Sequence, residues 1–209
     1  MSTVKLEELA DYIQPSVPSM LMAGLLPAAR SALIEFCKES RAWWTTLADI
    51  AVDSSTNLYT LAPPAESVVV DVLKALWDGS PIDPYALAWL DAAFPGWETQ
   101  TATDPTGVFL PNPRQVQVVP ALSTGESGLL GLRVALKPAL TSLVMEDWLF
   151  EDYHLVLAAG AKADLLEDQE PRRSAAERAK FKAGIQDARM RVERGGVNRT
   201  MVAYTYPFG

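Results

Sequence analysis

The chain has 209 residues, a mass of 22.8 kDa and a formal net charge of −8, with 49% hydrophobic and 21% charged residues. That apolar share can offset chain entropy by burial, which excludes a disordered chain and leaves room for one sizeable core with elaboration. Apolar stretches such as Leu155 to Ala161 are far too short to cross a bilayer, and the acidic start Met1 to Asp11 is unlike a basic signal sequence. The protein is therefore expected to stay where it is made, with no membrane partner.

In chain order, Leu6 to Tyr12 forms a short amphipathic piece, and Pro15 and Pro18 punctuate the connector after it and disfavour helix through the residue before each. Pro27 suits the first turn of a helix running to about Trp44. Ala29, Leu33, Phe36 and Cys37 share its inner face, and Arg30, Lys38, Glu39 and Arg41 lie outward. From Thr45 the period changes. Leu47 to Val52, Leu58 to Leu61 and Val68 to Leu76 read as strands of an antiparallel β region, with Asp78-Gly79-Ser80 as a turn. Asp83-Pro84 then predicts a short helix through Phe94, with Leu87, Leu90 and Phe94 on one side and Pro95-Gly96 as its stop. Strands resume at Gly107 to Leu110, Gln115 to Val119 and Leu129 to Leu136, where Val116 and Val118, then Leu132, Val134 and Leu136, alternate. Ser123 to Gly128 is a loop.

Two helices follow, Asp147 to Glu167 and Ser174 to Arg194. The first repeats Leu149, Tyr153, Val156, Gly160, Ala163 and Leu166 every three or four residues, and the second repeats Phe181, Ile185, Ala188 and Val192. Ser174-Ala-Ala-Glu177 has the form of a capping box, and Gly195-Gly196 is the expected stop. The short connection through Pro171 predicts antiparallel neighbours. Asn198 to Gly209 remains as an arm bearing Tyr204, Tyr206 and Phe208, aromatics that imply docking. This order predicts an α+β fold: a single subunit with a helical body (1–44 and 138–197), a central antiparallel β region carrying an inserted short helix (45–137), and a C-terminal arm (198–209).

Charge is unevenly placed. Arg172 to Arg199 holds nine basic and three acidic residues, a net +6, and the remainder carries −14. An acidic body with one basic helix is poorly suited to gripping duplex DNA along a broad face, and better suited to contact between subunits. Its structural counterpart is a merely solvated helix face.

Little chemistry is visible. His154 is the only histidine, in a helix and far in sequence from Cys37 and every serine. Glu151-x-x-His154 has the spacing of one half of a carboxylate-bridged metal site, which one pair cannot complete. Gly125-x-x-Gly128-x-x-Gly131 lacks the Gly-Lys-Ser/Thr of a phosphate loop, and Asn198-Arg-Thr200 is a short glycosylation pattern of high chance frequency. Cys37, alone in an apolar helical pattern, is a small buried hydrophobe. No catalytic, cofactor or metal site is expected.

Pro27-Ala-Ala-Arg-Ser-Ala-Leu-Ile-Glu-Phe-Cys-Lys-Glu-Ser-Arg-Ala-Trp43 resembles the first helix of the head-to-tail connector, or adaptor, proteins of tailed bacteriophages, of the tail tubular protein A-like kind. Asp147-Trp-Leu-Phe-Glu-Asp-Tyr153, Ala159-Gly-Ala-Lys-Ala-Asp-Leu-Leu166 and Phe181 to Gly195 resemble their closing helices, and Asp78-Gly-Ser-Pro81 with Pro95-Gly-Trp97 their central β region. Where such proteins often carry a tryptophan between the last helices, this chain has Asp168-Gln-Glu-Pro-Arg-Arg173. The resemblance implies a structural virion protein and no enzyme: a ring of twelve copies at the neck between capsid and tail, bound to the portal protein and to a tail, nozzle or gatekeeper protein, with DNA passing through without sequence-specific binding. It implies portal contact by the arm, with Arg194, Asn198, Arg199, Tyr204, Tyr206 and Phe208 as candidates. The basic helix supplies subunit-contact candidates: Arg172, Arg173, Arg178, Lys182, Arg189 and Arg191. Beside this reading stand a tail-completion or gatekeeper protein of the same neck, an enzyme centred on His154, and a protein-interaction domain outside a phage.

Overall fold

The computed structural model describes residues 2–18 and 20–193. The expected arm, residues 198–209, and the expected helix stop at Gly195-Gly196 lie outside them. Contacts divide the chain into two compact units, residues 1–43 with 137–209, and residues 44–136.

The first unit is mainly helical. Strand β1 (Thr3–Lys5) pairs antiparallel with β12 (Val144–Glu146), Thr3 opposite Glu146. Three residues offer no alternation to detect, so neither strand is legible in the sequence. A 3-10 turn at Leu6–Leu9 and helix α1 (Ala10–Ile13) bury Leu6, Leu9 and Ile13. Helix α2 (Met22–Ser40) starts five residues earlier than expected and holds Pro27 inside rather than in its first turn. Its inner face is as expected, with Ala29, Leu33, Phe36 and Cys37 buried, and Arg41 at φ 56° closes it through its N–H to the Cys37 carbonyl, 3.0 Å.

Helices α4 (Asp147–Leu166) and α5 (Pro171–Glu193) are joined by a four-residue connection, residues 167–170, and pack on each other. Where they cross, large side chains fill space left by glycine. A Cβ on Gly160 would come within 2.9 Å of the Phe181 ring and 3.0 Å of Ala32, and a Cβ on Gly184 would collide with Val156. Phe181 is fully buried as a result, an apolar burial worth about 2–3 kcal/mol. Helix α4 also packs against α1 and α2, so it buries Leu157, Ala158, Ala159 and Ala161 beyond the expected stripe. The capping box is not formed. Helix α5 begins three residues before Ser174 with Pro171 at its first position, where a missing N–H costs nothing. The buried Ser174 hydroxyl instead donates to the Ala163 carbonyl of α4, 2.8 Å.

The second unit is a mostly antiparallel sheet. Its strands are β2 (Trp44–Thr46), β3 (Ile50–Asp53), β4 (Leu58–Thr60), β5 (Ser67–Trp77), β6 (Ser80–Tyr85), β8 (Gly107–Asn112), β9 (Gln115–Val119) and β11 (Ser127–Pro138). They lie in the order β2-β11-β5-β6-β8-β9-β4, with β3 also on β11. A separate short pair joins β7 (Thr101–Ala102) to β10 (Ala121–Leu122). Val116, Val118, Leu132, Val134 and Leu136 are buried on the expected alternation, and Leu130 continues it. Asp78 and Gly79, at φ 45° and 83°, form the two-residue turn between β5 and β6, with Trp77 opposite Ser80. Positive φ at both turn positions matches the right-handed twist of the strands, and Gly reaches it without strain.

Two expectations fail in this unit. The sheet is not wholly antiparallel: β6 pairs parallel with β8, and β7 with β10. The helix expected from Asp83 is shorter, because Ser80–Tyr85 is strand and α3 spans only Leu87–Ala93. Pro84 is tolerated in β6 because its pairing with β5 ends at Ile82. The connection from β6 through α3 to β8 is thus the crossover that parallel neighbours require.

Candidate interaction surfaces

The basic residues expected to meet another subunit sit on α5, and most have a partner within the chain. Arg173 pairs with Glu170 at 2.8 Å, Arg189 with Glu193 at 2.9 Å and Arg191 with Asp187 at 2.8 Å. Such exposed pairs contribute roughly 0–1 kcal/mol each, so they can be exchanged for another carboxylate at small cost. Arg178 differs. It is partly buried, pairs with Asp164 of α4 and lies 3.6 Å from Glu35 of α2, so it ties three helices together. Arg172 and Lys182 are exposed and have no ion-pair partner among the described residues. Arg194, Asn198, Arg199, Tyr204, Tyr206 and Phe208 lie outside the described residues.

The outer face of α5 has a simple composition. Arg172, Ala176, Ala179, Ala183, Gln186 and Met190 follow one another at four- and three-residue steps and are all exposed. They lie opposite the buried face formed by Ser174, Phe181, Ile185 and Ala188. Seven basic and three acidic residues fall within Pro171–Glu193, so the helix carries a positive excess, and Arg172 is its charge on this face.

In the sheet unit, helix α3 presents the opposite chemistry. Tyr85 stacks on Trp89 with ring centroids 4.5 Å apart, and Phe94 meets Trp89 edge-on at 5.1 Å. Beneath them Leu90, Trp97 and Val119 form a small buried cluster that Phe109 flanks. The indole N–H of Trp97 donates to Asp91 at 3.0 Å, which fixes the end of α3. Trp89 is nevertheless 46% exposed, Leu87 48% and Phe94 40%. Of Leu87, Leu90 and Phe94, which the spacing puts on one side, only Leu90 is buried. A helix of seven residues has one inward turn, and the crossover gives it one small cluster to cover. The signal in the sequence is the density of aromatics within residues 75–113, which hold five acidic residues and no lysine or arginine.

A second apolar feature lies in the helical unit. Arg30 donates to the carbonyls of Ser142 and Leu140, both at 2.9 Å, and so holds the loop 139–143 with Leu140 and Leu143 exposed. Neither this exposed loop nor the exposed α3 aromatics are among the candidates that the sequence offers.

The groups that could support chemistry have structural settings. Cys37 is fully buried, and desolvation pushes its thiol far above its ordinary value, which suppresses the reactive thiolate. The His154 ring packs 4.7 Å from Tyr12, and its Nδ1 lies 2.9 Å from the Phe150 carbonyl of its own helix. Glu146 is buried, its Oε2 has no hydrogen-bond partner among the described residues, and desolvation raises its carboxyl above the ordinary range. Ser55 hydrogen bonds hold the exposed Asp53 carboxyl below its ordinary value. Ser54 to Asn57 and Ser123-Thr124 line an open depression rich in hydroxyls and without an ionisable side chain. Among the described residues, no group of three or more His, Cys, Asp or Glu is placed to hold a metal.

The described residues thus offer three surfaces: the outer face of a basic helix, an aromatic face within an acidic stretch of sequence, and a clamped apolar loop. Comparison with curated proteins gives no match. The family model described as SU10 adaptor protein matches residues 6–203, nearly the whole chain, and supports the adaptor resemblance without reaching the narrower tail tubular protein A-like kind. The chain belongs to the SU10 adaptor protein family, a family of bacteriophage structural adaptors.

Proposed function

We propose that the chain is a ring-forming virion subunit that joins the portal vertex of the capsid to the tail and lets DNA pass through its centre. The family match across residues 6–203 is the observation that carries this reading. The separation of charge supports the ring: α5 has a positive excess within a chain of net charge −8, and its outer face is open. A face of one sign on each copy, meeting a surface of the other sign on the next, is a heterologous contact that closes when the rotation per subunit fits. We place twelve copies in the ring.

In this reading Arg172, Arg173, Lys182, Arg189 and Arg191 face the adjacent copy, while Arg178 stays within its own helical unit. The segment with Arg194, Asn198, Arg199, Tyr204, Tyr206 and Phe208 contacts the portal protein, and a tail, nozzle or gatekeeper protein meets the other side. An acidic channel lining would repel the phosphate backbone and let DNA slide without being gripped. The test is sedimentation of the purified chain with and without portal protein. The reading expects rings that bind portal, and loss of portal binding with rings retained after removal of residues 198–209. A chain that remains monomeric with portal present overturns it.

A further inference from the structure

Resting on the ring reading, we propose that the Tyr85–Trp89–Phe94 face of one copy is the seat of the outer face of α5 of the next copy. The aromatic face has the properties of a preformed contact. Its rings are held by stacking at 4.5 Å and by an edge contact at 5.1 Å above a buried cluster, so little order must be gained on binding. Trp89 and Phe94 nonetheless keep about half of their surface in water, and exposed tryptophan at the centre of a patch is the residue type most enriched among binding hot spots.

Charge decides the occupant. Residues 75–113 contain Asp78, Asp83, Asp91, Glu98 and Asp104 and no basic residue, so an anionic partner such as DNA or an acidic lipid surface is disfavoured there. Helix α5 holds seven basic and three acidic residues, and its exposed Arg172 and Lys182 have no ion-pair partner among the described residues. Ala176, Ala179 and Ala183 follow Arg172 along the outer face, and their small side chains let flat rings approach the helix closely. Lys182 then comes within reach of an indole face, and Met190 supplies a thioether to an aromatic edge. Both surfaces exist on every copy and differ from each other, so the contact is head-to-tail, the kind that propagates around a ring.

The chain supports a clean cross-linking test, because Cys37 is fully buried and its thiol is kept protonated. Trp89→Cys and Ala183→Cys chains are made separately, co-expressed, and treated with a short bismaleimide. Covalent pairs are expected from the co-expressed chains and from neither variant alone, and a chain carrying both changes should yield a ladder. In parallel, Trp89→Ala should weaken assembly at least about ten-fold in sedimentation with an unchanged melting temperature, and Lys182→Glu should weaken it further at low salt than at high salt. If the wild-type chain forms rings but the co-expressed variants give no covalent pair and Trp89→Ala assembles normally, the ring stands and this contact is wrong. A wild-type chain that never leaves the monomer overturns both.

Discussion

In the α4–α5 pair Phe181 and Val156 turn inward onto glycine, and the outer face of α5 is left mostly to small and polar residues. Phe181 fills the space over Gly160, and Val156 the space over Gly184. In the crossover around α3 the large side chains turn outward, and Trp89 and Phe94 stay near half exposed over a cluster of a few residues. The first arrangement stabilises the fold of one chain. The second contributes little to that fold and offers its apolar area to something else. A substitution in each region should therefore separate stability from assembly.

The largest expected effect is on the inward side. Phe181→Ala should cost about 3–5 kcal/mol, because it removes a fully buried ring and leaves a cavity between two helices. In thermal unfolding followed by circular dichroism this is a fall of roughly 10 °C or more. Gly184→Leu should cost about 1–3 kcal/mol by forcing Val156 out of place. If either change lowers assembly but not melting temperature, the division of roles is reversed.

Much of this contrast was legible in the sequence on its inward side only. The repeat Leu149, Tyr153, Gly160, Ala163 and Leu166, with Phe181, Ile185 and Ala188, marks two helices by their own period, and helix period survives whatever the partner is. Strands β9 and β11 are legible because buried residues alternate along them, and β5 because its Val- and Leu-rich run lies between turn residues. The crossover was not. Asp83-Pro84 reads as a helix start, yet its place in β6 depends on β8, whose pairing partner is more than twenty residues away in sequence. Spacing puts Leu87, Leu90 and Phe94 on one side, and it does not reveal how little there is for a seven-residue helix to cover. Ser174 had the right neighbours for a cap, but Pro171 started the helix first, and the hydroxyl went to Ala163.

Smaller effects sharpen the comparison. Ser174→Ala should cost about 1 kcal/mol, since it leaves the buried Ala163 carbonyl without this donor. Glu146→Gln tests a buried charge. Its carboxyl holds a proton more tightly in the folded chain than in the unfolded one, so the wild type loses stability as pH rises through the folded value, which lies above 4.5. The variant should therefore melt a few degrees higher than wild type near pH 7, by about 1 kcal/mol, and the advantage should vanish below pH 4.5. A constant difference across that range would remove ionisation as the cause. Arg189→Ala, which breaks an exposed pair with Glu193, should change stability by less than about 0.5 kcal/mol.

The account stands or falls on whether copies of this chain complete one another. Electron micrographs of the purified full-length protein at low salt and high concentration test this most directly. Rings with a central hole are the expected result. Fields of isolated single subunits, unchanged when portal protein is added, would contradict it.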